Sequence, residues 1–395
     1  MSHVLIWVLC LAGAALWVPC AVFSLQCLLA CIARPRTTPV VSQRPRLAVL
    51  MPAHDEAAII EATLADLLPQ LAEGDRLLVV ADNCTDNTAE LCRAAGAEVV
   101  ERHDKERRGK GYALVFGLDH LVQDPPEVVV IVDADCMVRK GALDRLAAMA
   151  VAQQCPIQAD YVLTLPESPS SVAVISALAF IVKNRVRPLG MAVLGMPCPL
   201  TGTGMAFPWE VLRKAPPTEG HLVEDMVMGI ELAMMGHPPQ LCPDAQVVSA
   251  LPSGQQAAQS QRRRWEHGHL ATIREQVPRL VGTFTRTGQT PLLGMALDLI
   301  VPPLALLVIM LIAHLCLGAL AFLVFGAAGP LMSTLVALCC VGGVVVLAWA
   351  RFARSVLPLG ALLAIPFYVL WKIPLYVTYA IRGRHRNWER TDRVP

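Results

Sequence analysis

The sequence predicts an α/β domain with a mostly parallel sheet, placed between strongly apolar segments at the two ends of the chain. Of 395 residues, 55% are hydrophobic and only 16% are charged, which is more apolar than is usual for a soluble enzyme. The apolar excess lies in residues 4–32 and 292–381. Between them, short apolar runs alternate with helix-length segments, the pattern of a parallel α/β sheet.

The N-terminal apolar segment, residues 4–32, carries no charge and exceeds the ~20 residues that cross a bilayer. A cleaved signal peptide is the alternative, but the segment lacks a basic start and a cleavage box, which favours an uncleaved anchor. Arg34, Arg36, Arg44 and Arg46 follow at once. The positive-inside rule therefore predicts a cytoplasmic central domain.

The central segment begins with a regular alternation of strands and helices. Strands are predicted at residues 47–51, 76–81, 98–101 and 127–132, with helices at 56–71, 85–95 and 111–121. Further on we expect a helix at 142–153, a strand at 157–163, and helices at 172–182, from 224, and at 255–274. In open sheets of this kind, ligands bind beyond the carboxyl ends of the strands. Asp55-Glu56, Asp82 and Asp133-Ala134-Asp135 all fall at such ends.

Three apolar stretches near the C-terminus, residues 292–325, 331–350 and 356–381, precede a basic tail. Three crossings would place that tail on the opposite side from the central domain, against the positive-inside rule. Either the long first stretch is not a simple span, or one stretch lies in the interface. Pro366, Pro374, Trp371 and Lys372 make the last stretch the best candidate for an interfacial or re-entrant helix.

Asp133 and Asp135 follow an uncharged strand and can share a hard cation such as Mg²⁺ or Mn²⁺. The alternative is a solvated strand end with a turn-forming Asp.

Asp82 also ends a strand, where a carboxylate can accept a hydrogen bond from a uracil N3–H or a ribose hydroxyl. The alternative is that this segment only begins the next helix, with Thr85 or Asp86 as its cap. Lys110, between two glycines, adds positive charge beside an anion site, or belongs to a basic surface loop.

Glu224-Asp225 is the best candidate for a general base, since an acceptor hydroxyl must lose a proton as it attacks. An acidic pair in the first turn of a helix is the alternative.

Gln261, Arg264 and Trp265 share one helical face at positions i, i+3 and i+4. Arg binds phosphate with a planar fork and Trp offers a stacking surface, although a basic helix near a membrane could also attract anionic lipid.

The order of these motifs resembles the membrane-embedded branch of family-2 glycosyltransferases, which includes cellulose, chitin, hyaluronan and poly-N-acetylglucosamine synthases. The resemblance covers residues 47–274 and the tail 386–391, which resembles a common ending in bacterial members. It implies a GT-A domain at 34–286, an anchor at 1–33 and a membrane region at 287–395. Val223, a single N-terminal span and a short C-terminal membrane part depart from the processive members.

The resemblance also implies a role for each matching residue. Asp82 would hold uracil, Asp133 the nucleotide, and Asp135 the metal, while Asp225, beside Glu224, would be the base. Gln261, Arg264 and Trp265 match the QxxRW signature that holds pyrophosphate and borders the acceptor channel. The residues expected to contact the rest of the donor are Pro52, His54, Glu56, Lys110, Thr201, Gly202 and Gly204.

The sequence thus predicts an inverting, metal-dependent transferase that moves a sugar from a UDP-linked donor to a lipid or glycan acceptor. It is expected in the bacterial inner membrane, in contact with membrane lipids and with its catalytic domain cytoplasmic. The net charge of +1 gives no support for nucleic-acid binding. A processive polysaccharide synthase is the alternative among enzymes, and a catalytically silent membrane scaffold is the alternative of another class.

Overall fold

A computed structural model describes residues 2–33, 43–166, 169–216, 223–251 and 255–382. Arg34, Arg36 and the tail 386–391 lie outside the described residues. The central domain is built on one eight-stranded sheet. Its strands are β1 (Leu47–Ala53), β2 (Arg76–Asp82), β3 (Glu98–Arg102), β4 (Val128–Ile131), β5 (Cys136–Val138), β6 (Ile157–Thr164), β7 (Met205–Pro208) and β8 (Gln240–Ala250).

The strands are ordered β3-β2-β1-β4-β7-β6-β8-β5. The first four strands and the β6–β8 pair are parallel, while β7 is antiparallel to β4 and β6, and β5 is antiparallel to β8. The predicted α/β class with a mostly parallel sheet is therefore confirmed. Pairing of Ile131 with Met205 brings the loop before β7 beside the acidic end of β4.

Fourteen helices lie in the described part of the chain. They are α1 (Ser2–Ile32), α2 (Ile60–Leu67), α3 (Thr88–Ala94), α4 (Lys110–Leu121), α5 (Ala142–Gln153), α6 (Ser171–Ile181), α7 (Arg187–Val193), α8 (Trp209–Leu212), α9 (Glu224–Met234), α10 (Gln255–Thr287), α11 (Thr290–Leu299), α12 (Leu304–Phe325), α13 (Ala328–Ala348) and α14 (Ile365–Arg382). A π-helical turn, Val182–Val186, joins α6 to α7, and a 3-10 turn, Leu359–Ala364, precedes α14.

Both faces of the sheet are buried, which explains why its first strands are continuous apolar runs. Val49 and Met51 of β1 pack into one core together with α2 and α5. Ala48 and Leu50, on the opposite face, pack into a second core together with α4 and α9. Because helices cover both faces, the polar strand ends are left as the open edge where a ligand can bind.

Two helices begin three or four residues later than the sequence indicated, and the reason is a shared pair of loops. The backbone N–H of Glu56 donates to Thr88 Oγ1 (2.8 Å), and that of Ala57 donates to Asp86 Oδ2 (3.1 Å). Asp55 takes a left-handed conformation, with φ of 54°. These contacts satisfy the loop backbone without helical hydrogen bonds, so α2 starts at Ile60 and α3 at Thr88.

Four segments of the described chain are long and apolar enough to cross a membrane: His3–Ile32, Leu304–Phe325, Ala328–Ala353 and Leu359–Ile381. The chain is accordingly membrane-associated. The expected stretch 292–325 is not one span, since Pro302 and Pro303 separate α11 from α12. Whether α14 crosses or lies in the interface stays a prediction.

A buried polar cluster fixes the central domain against the first membrane helix. Arg187 of α7 donates from Nε to Gln26 Oε1 (2.9 Å) and from Nη2 to Asp298 Oδ1 (2.9 Å). Gln26 of α1 also donates to Asp298 Oδ1 of α11 (2.8 Å). At Gly190, a Cβ would lie only 2.0 Å from the carbonyl O of Gln26, so α1 and α7 touch backbone to backbone.

Candidate active site

A cavity of about 640 Å³ opens at the carboxyl end of β4. It is bounded by the start of α4, the loop before β7, the first turn of α9 and one face of α10. Ten of the fifteen predicted site residues line it: Lys110, Asp133, Asp135, Thr201, Gly202, Glu224, Asp225, Gln261, Arg264 and Trp265. Residues separated by up to 155 positions in sequence thus share one chamber, although their roles stay predictions.

Lys110 connects the acidic strand end to the glycine loop. Its ammonium pairs with the Asp133 carboxylate and donates to the carbonyl O of Gly202 (2.5 Å). Burial acts to lower the pKa of Lys110, but the charges of Asp133 and Glu224 outweigh it and raise the pKa above its ordinary value. The lysine therefore stays cationic beside the acidic groups, where a ligand anion would also be stabilised.

Gln158 of β6, a residue that the sequence analysis missed, holds the glycine loop in place. Its Oε1 accepts from the backbone N–H of Thr201 (2.9 Å), and its Nε2 donates to the carbonyl O of Thr203 (2.9 Å). The only sequence signal was a polar side chain in a strand that is mostly apolar. Thr201 Oγ1 is buried and has no hydrogen-bond partner within the described residues. A ligand hydroxyl could satisfy that atom.

Asp133, Asp135 and Cys136 offer possible metal-binding atoms that all lie within 4.8 Å of one another. Two carboxylates fit a hard divalent cation such as Mn²⁺ or Mg²⁺. Burial raises the pKa of the Cys136 thiol well above its usual range, and the thiol donates to Asp135 Oδ1 (3.5 Å). Cys136 would therefore support Asp135 as a neutral donor, and the two aspartates would hold the metal.

Glu224 and Asp225 form the first turn of α9 and face the same cavity. Burial, followed by the charge of Asp225, raises the pKa of Glu224 to about 7. Burial likewise raises the pKa of Asp225, against the opposing charge of Lys110. Carboxyl groups with raised pKa values are better proton acceptors near neutral pH than ordinary aspartate or glutamate.

We expect Glu224→Gln to make stability less dependent on pH. The pKa of Glu224 is raised from 4.5 to about 7 in the folded protein, so its contribution to stability is fully present below pH 4.5 and lost as the pH rises through about 7. The thermal unfolding temperature of the variant, minus that of the wild type, should therefore increase between about pH 5 and pH 8. The same substitution at exposed Glu90 is the control. A difference that stays constant with pH would contradict the assignment.

An aromatic wall closes the side of the cavity towards the membrane helices. Trp265 packs on Phe180 with ring centroids 5.9 Å apart, and Phe180 meets Tyr161 edge to face at 5.0 Å. The π-helical turn after Phe180 places Lys183 and Asn184 on the cavity surface as well. π-Turns are often found at functional sites. Phe180, Tyr161, Lys183 and Asn184 belong to none of the motifs found in the sequence.

Five predicted site residues do not line the cavity: Pro52, His54, Glu56, Asp82 and Gly204. The Asp82 carboxylate pairs with Arg102 (2.7 Å), whose guanidinium lies 5.6 Å from the ring centroid of Tyr112 at the cavity edge. His54 Nδ1 is hydrogen-bonded to the carbonyl O of Asp82 (2.6 Å). Pro52 lies within β1, and the backbone N–H of Glu56 serves the neighbouring loop. Contact of these residues with a nucleotide stays a prediction.

Gly202 and Gly204 differ in what surrounds them, although both have positive φ. A Cβ on Gly202 would lie 3.2 Å from Asp225 Oδ2 and 3.7 Å from Lys110 Nζ, so Gly202 faces the cavity. A Cβ on Gly204 would meet Val247 Cγ2 at 2.7 Å and Ala159 Cβ at 2.8 Å. Gly204 is therefore required for close packing of the sheet.

We expect Gly202→Ala to impair the site more than the fold. Gly96 has a similar φ, 91° against 93°, and a Cβ there would meet nothing within 4 Å, which makes Gly96→Ala a matched control for backbone strain. Each variant should lose about 1–2 kcal/mol of folding free energy. Only Gly202→Ala should also lower donor affinity and turnover. Equal activity of the two variants would show that the cavity tolerates a methyl group beside Asp225.

The sheet order, the acidic end of β4 and the glycine loop before β7 define a GT-A-type domain, which in this chain is attached to apolar helices. A family model described as "Glycosyltransferase like family 2" matches residues 45–268. The chain therefore belongs to that family. No curated protein matches it.

Among solved structures, the chain is similar to the mannosyltransferase PcManGT from Pyrobaculum calidifontis in complex with GDP-Man and Mn²⁺. The two share 18% identity with a TM-score of 0.55, over 96% of this chain and 100% of that one. It is also similar to glucosyl-3-phosphoglycerate synthase from Mycobacterium tuberculosis in complex with Mn²⁺, UDP and phosphoglyceric acid, at 22% identity and a TM-score of 0.31, over 50% of this chain and 68% of that one. The likeness to PcManGT extends the shared fold to the apolar helices.

Proposed function

We propose that the protein is an inverting, metal-dependent glycosyltransferase that moves a sugar from a nucleotide-sugar donor to a lipid or glycan acceptor at the membrane. The observation that carries this proposal is that Asp135, Asp225 and Arg264, which come from three distant parts of the sequence, line one cavity. A volume of about 640 Å³ lies within the range of sites for small ligands. Membership of glycosyltransferase family 2 agrees with this chemistry.

The donor diphosphate would lie between the aspartate pair that holds the cation and the guanidinium of Arg264. Asp133 and Asp135 would hold the cation, which when bound would neutralise the leaving diphosphate. Arg264 lines the same cavity and could bind phosphate oxygens through its planar fork. PcManGT was solved with GDP-Man and Mn²⁺, whereas for this chain we propose a UDP-linked sugar with Mn²⁺ or Mg²⁺. Asp82 and its neighbours would then bind the uracil end of the donor.

Asp225 would accept the proton of the attacking acceptor hydroxyl. The new bond forms between that oxygen and the anomeric carbon, while the bond from this carbon to the diphosphate oxygen breaks. A single displacement of this kind inverts the anomeric centre. Burial raises the pKa of Asp225, which suits it to take a proton at neutral pH. Glu224 beside it would share the proton, since burial raises its pKa as well.

The acceptor would approach past Trp265, because this residue separates the cavity from the apolar helices. We propose that the central domain is cytoplasmic and that the protein resides in the bacterial inner membrane. Arg44 and Arg46 after the first span, and Arg351 and Arg354 after α13, support this orientation under the positive-inside rule. In this arrangement α14 would lie in the interface on the cytoplasmic side.

The test is to supply membranes containing the protein with labelled UDP-glucose, UDP-N-acetylglucosamine, UDP-galactose and GDP-mannose in the presence of Mn²⁺. Lipid-extractable and polymer fractions are then counted separately. Label of discrete size in the lipid fraction supports single transfer, whereas long products indicate a processive synthase of the cellulose and chitin type. No transfer from any donor, despite donor binding, would contradict the proposal and favour a silent scaffold.

A further inference from the structure

Residues 261–268 of α10, here called the arginine segment, form one wall of the cavity of about 640 Å³, which we call the donor cavity. Arg264 and Trp265 line that cavity. At the end of the segment, a Cβ on Gly268 would lie only 2.6 Å from Val223 Cγ1. Val223 directly precedes α9, whose first turn carries the acidic pair. A small shift of the arginine segment would therefore displace the guanidinium in the cavity and disturb the start of α9.

The opposite side of the arginine segment packs on α14. The ring centroids of His267 and Tyr379 are 4.9 Å apart, and the guanidinium of Arg262 lies 5.5 Å from the ring centroid of Trp371. His267 Nε2 is also 3.4 Å from the carbonyl O of Leu375. Helix α14 belongs to one of the four segments that are apolar enough to cross a membrane. One wall of the donor cavity therefore rests directly on a membrane-associated helix.

A buried ion pair joins α14 to the arginine segment. The ammonium of Lys372 pairs with Oε1 of Glu266, and Lys372 is fully buried. Glu266 is its one ion-paired partner among the described residues, and Nζ otherwise lies 5.5 Å and 5.6 Å from the ring centroids of Tyr368 and Trp371. A buried ammonium that loses its carboxylate is strongly destabilising. The pair therefore fixes the position of α14 relative to the arginine segment.

Glu266 is the carboxylate that three cations share. Its Oε1 pairs with Lys372, and its charge also favours the charged forms of Arg262 and Lys183. Its Oε2 is buried and has no hydrogen-bond partner within the described residues. Lys372 thus keeps the carboxylate turned towards α14. Without Lys372, the carboxylate would be drawn towards one of the other two cations, and the side chain next to Trp265 in the sequence would change direction.

We propose that Lys372 is a positioning residue for sugar transfer: by pairing with Glu266, it holds the arginine segment so that Arg264 and Trp265 face the bound donor. This inference rests on the proposed function in one respect, since it assigns the donor diphosphate to Arg264. Lys372 does not line the donor cavity and acts through Glu266. It follows that the donor site is complete only while α14 lies against α10, so a membrane-associated helix supports the active site.

The first experiment reads the position of Trp265 by fluorine magnetic resonance. The full chain, with its seven tryptophans labelled as 5-fluorotryptophan, is placed in nanodiscs of phosphatidylcholine without a donor. The signal of Trp265 is assigned with Trp265→Phe. We expect Lys372→Met to shift or broaden this signal, whereas the signal of Trp209, in the core beside α4 and α9, should not change. Lys214→Met, the same substitution at an exposed position, is the matched control and should change neither signal.

The second experiment measures the consequence for transfer. Lys372→Met should lower kcat/KM for the donor by about 10- to 100-fold, because small misplacements of groups that hold the substrate have effects of this order. The double variant Glu266→Gln, Lys372→Met leaves no buried ion unpaired, so it should regain the thermal stability that the single variant loses. It should regain neither the wild-type Trp265 signal nor the turnover, because the connection to α14 is still missing.

Two outcomes would overturn the proposal. A wild-type Trp265 signal in Lys372→Met would show that the pair only stabilises the fold, even if the unfolding temperature falls. Recovery of the signal and of turnover in the double variant would show that the stray charge of Glu266, and not the lost connection, disturbs the single variant. If the single variant does not fold, the double variant carries the same test. Because the fluorine signal needs no donor, the positioning role can hold or fail independently of sugar transfer.

Discussion

Asp225→Asn is expected to abolish sugar transfer while leaving the donor bound. Loss of a positioned general base lowers kcat by ~10³-fold in typical cases. The amide has nearly the same shape as the carboxylate, so the close approach of Asp225 to Gly202 should be kept. Donor affinity, measured by calorimetry with a nucleotide-sugar and Mn²⁺, should change by less than about threefold, because the lost interaction belongs to the transition state.

The control for this variant is Glu231→Gln on the same helix, α9. Glu231 pairs with Arg279 of α10 at 2.7 Å and lies outside the cavity. It should retain wild-type turnover and lose only the small stabilisation of a partly exposed ion pair, about 0.2–1 kcal/mol. Near wild-type turnover of Asp225→Asn would show that another group takes the proton.

Asp135→Asn is expected to remove metal-dependent activity. A carboxylate ligand exchanged for a neutral amide weakens the hold on a divalent cation, and kcat/KM should fall by ~100-fold or more because metal binding supplies several kcal/mol of charge stabilisation. Asp135 is a cleaner target than Asp133, since Asp133 also pairs with Lys110 and its backbone N–H donates to Thr203 Oγ1 (3.1 Å). The Mn²⁺ concentration for half-maximal binding, followed by paramagnetic resonance, should rise in parallel.

Asp119→Asn, at an exposed position of α4 outside the cavity, provides the matched control and should bind Mn²⁺ as the wild type does. If Asp135→Asn retained both Mn²⁺ affinity and activity, the metal would have to lie elsewhere. The carboxyl and thiol groups of Asp55, Cys84 and Asp86, which also lie within 4.8 Å of one another, would then be the next position to test.

A motif at the end of a regular element lies in the structure where the sequence placed it in the chain, although its role stays a prediction. Asp133 and Asp135 follow the buried β4, and Glu224 and Asp225 begin α9, so their placement depends mainly on local structure. Asp82 is the last residue of β2, but its side chain pairs with Arg102 of β3 and does not line the cavity. Strand-end position fixes where a residue lies, whereas the direction of its side chain depends on the neighbouring strand.

Other features could not be predicted because they depend on partners distant in the sequence. Strands β5 and β7 have only three and four residues, and Pro243 interrupts the apolar pattern of β8. These strands exist because they pair with segments up to about a hundred residues away. Gln158 and Lys183 carry no local signal of function either, since each becomes important only through the cavity that it faces.

By itself, the sequence determined that this protein has apolar segments able to cross a membrane and an α/β domain with acidic strand ends. Those properties follow from local composition and from the periodicity of side chains, which act over a few residues. Only the tertiary structure decided that the carboxylates, the arginine helix and the aromatic wall surround one cavity. Such proximity is set by strand order and helix packing, which no local pattern encodes.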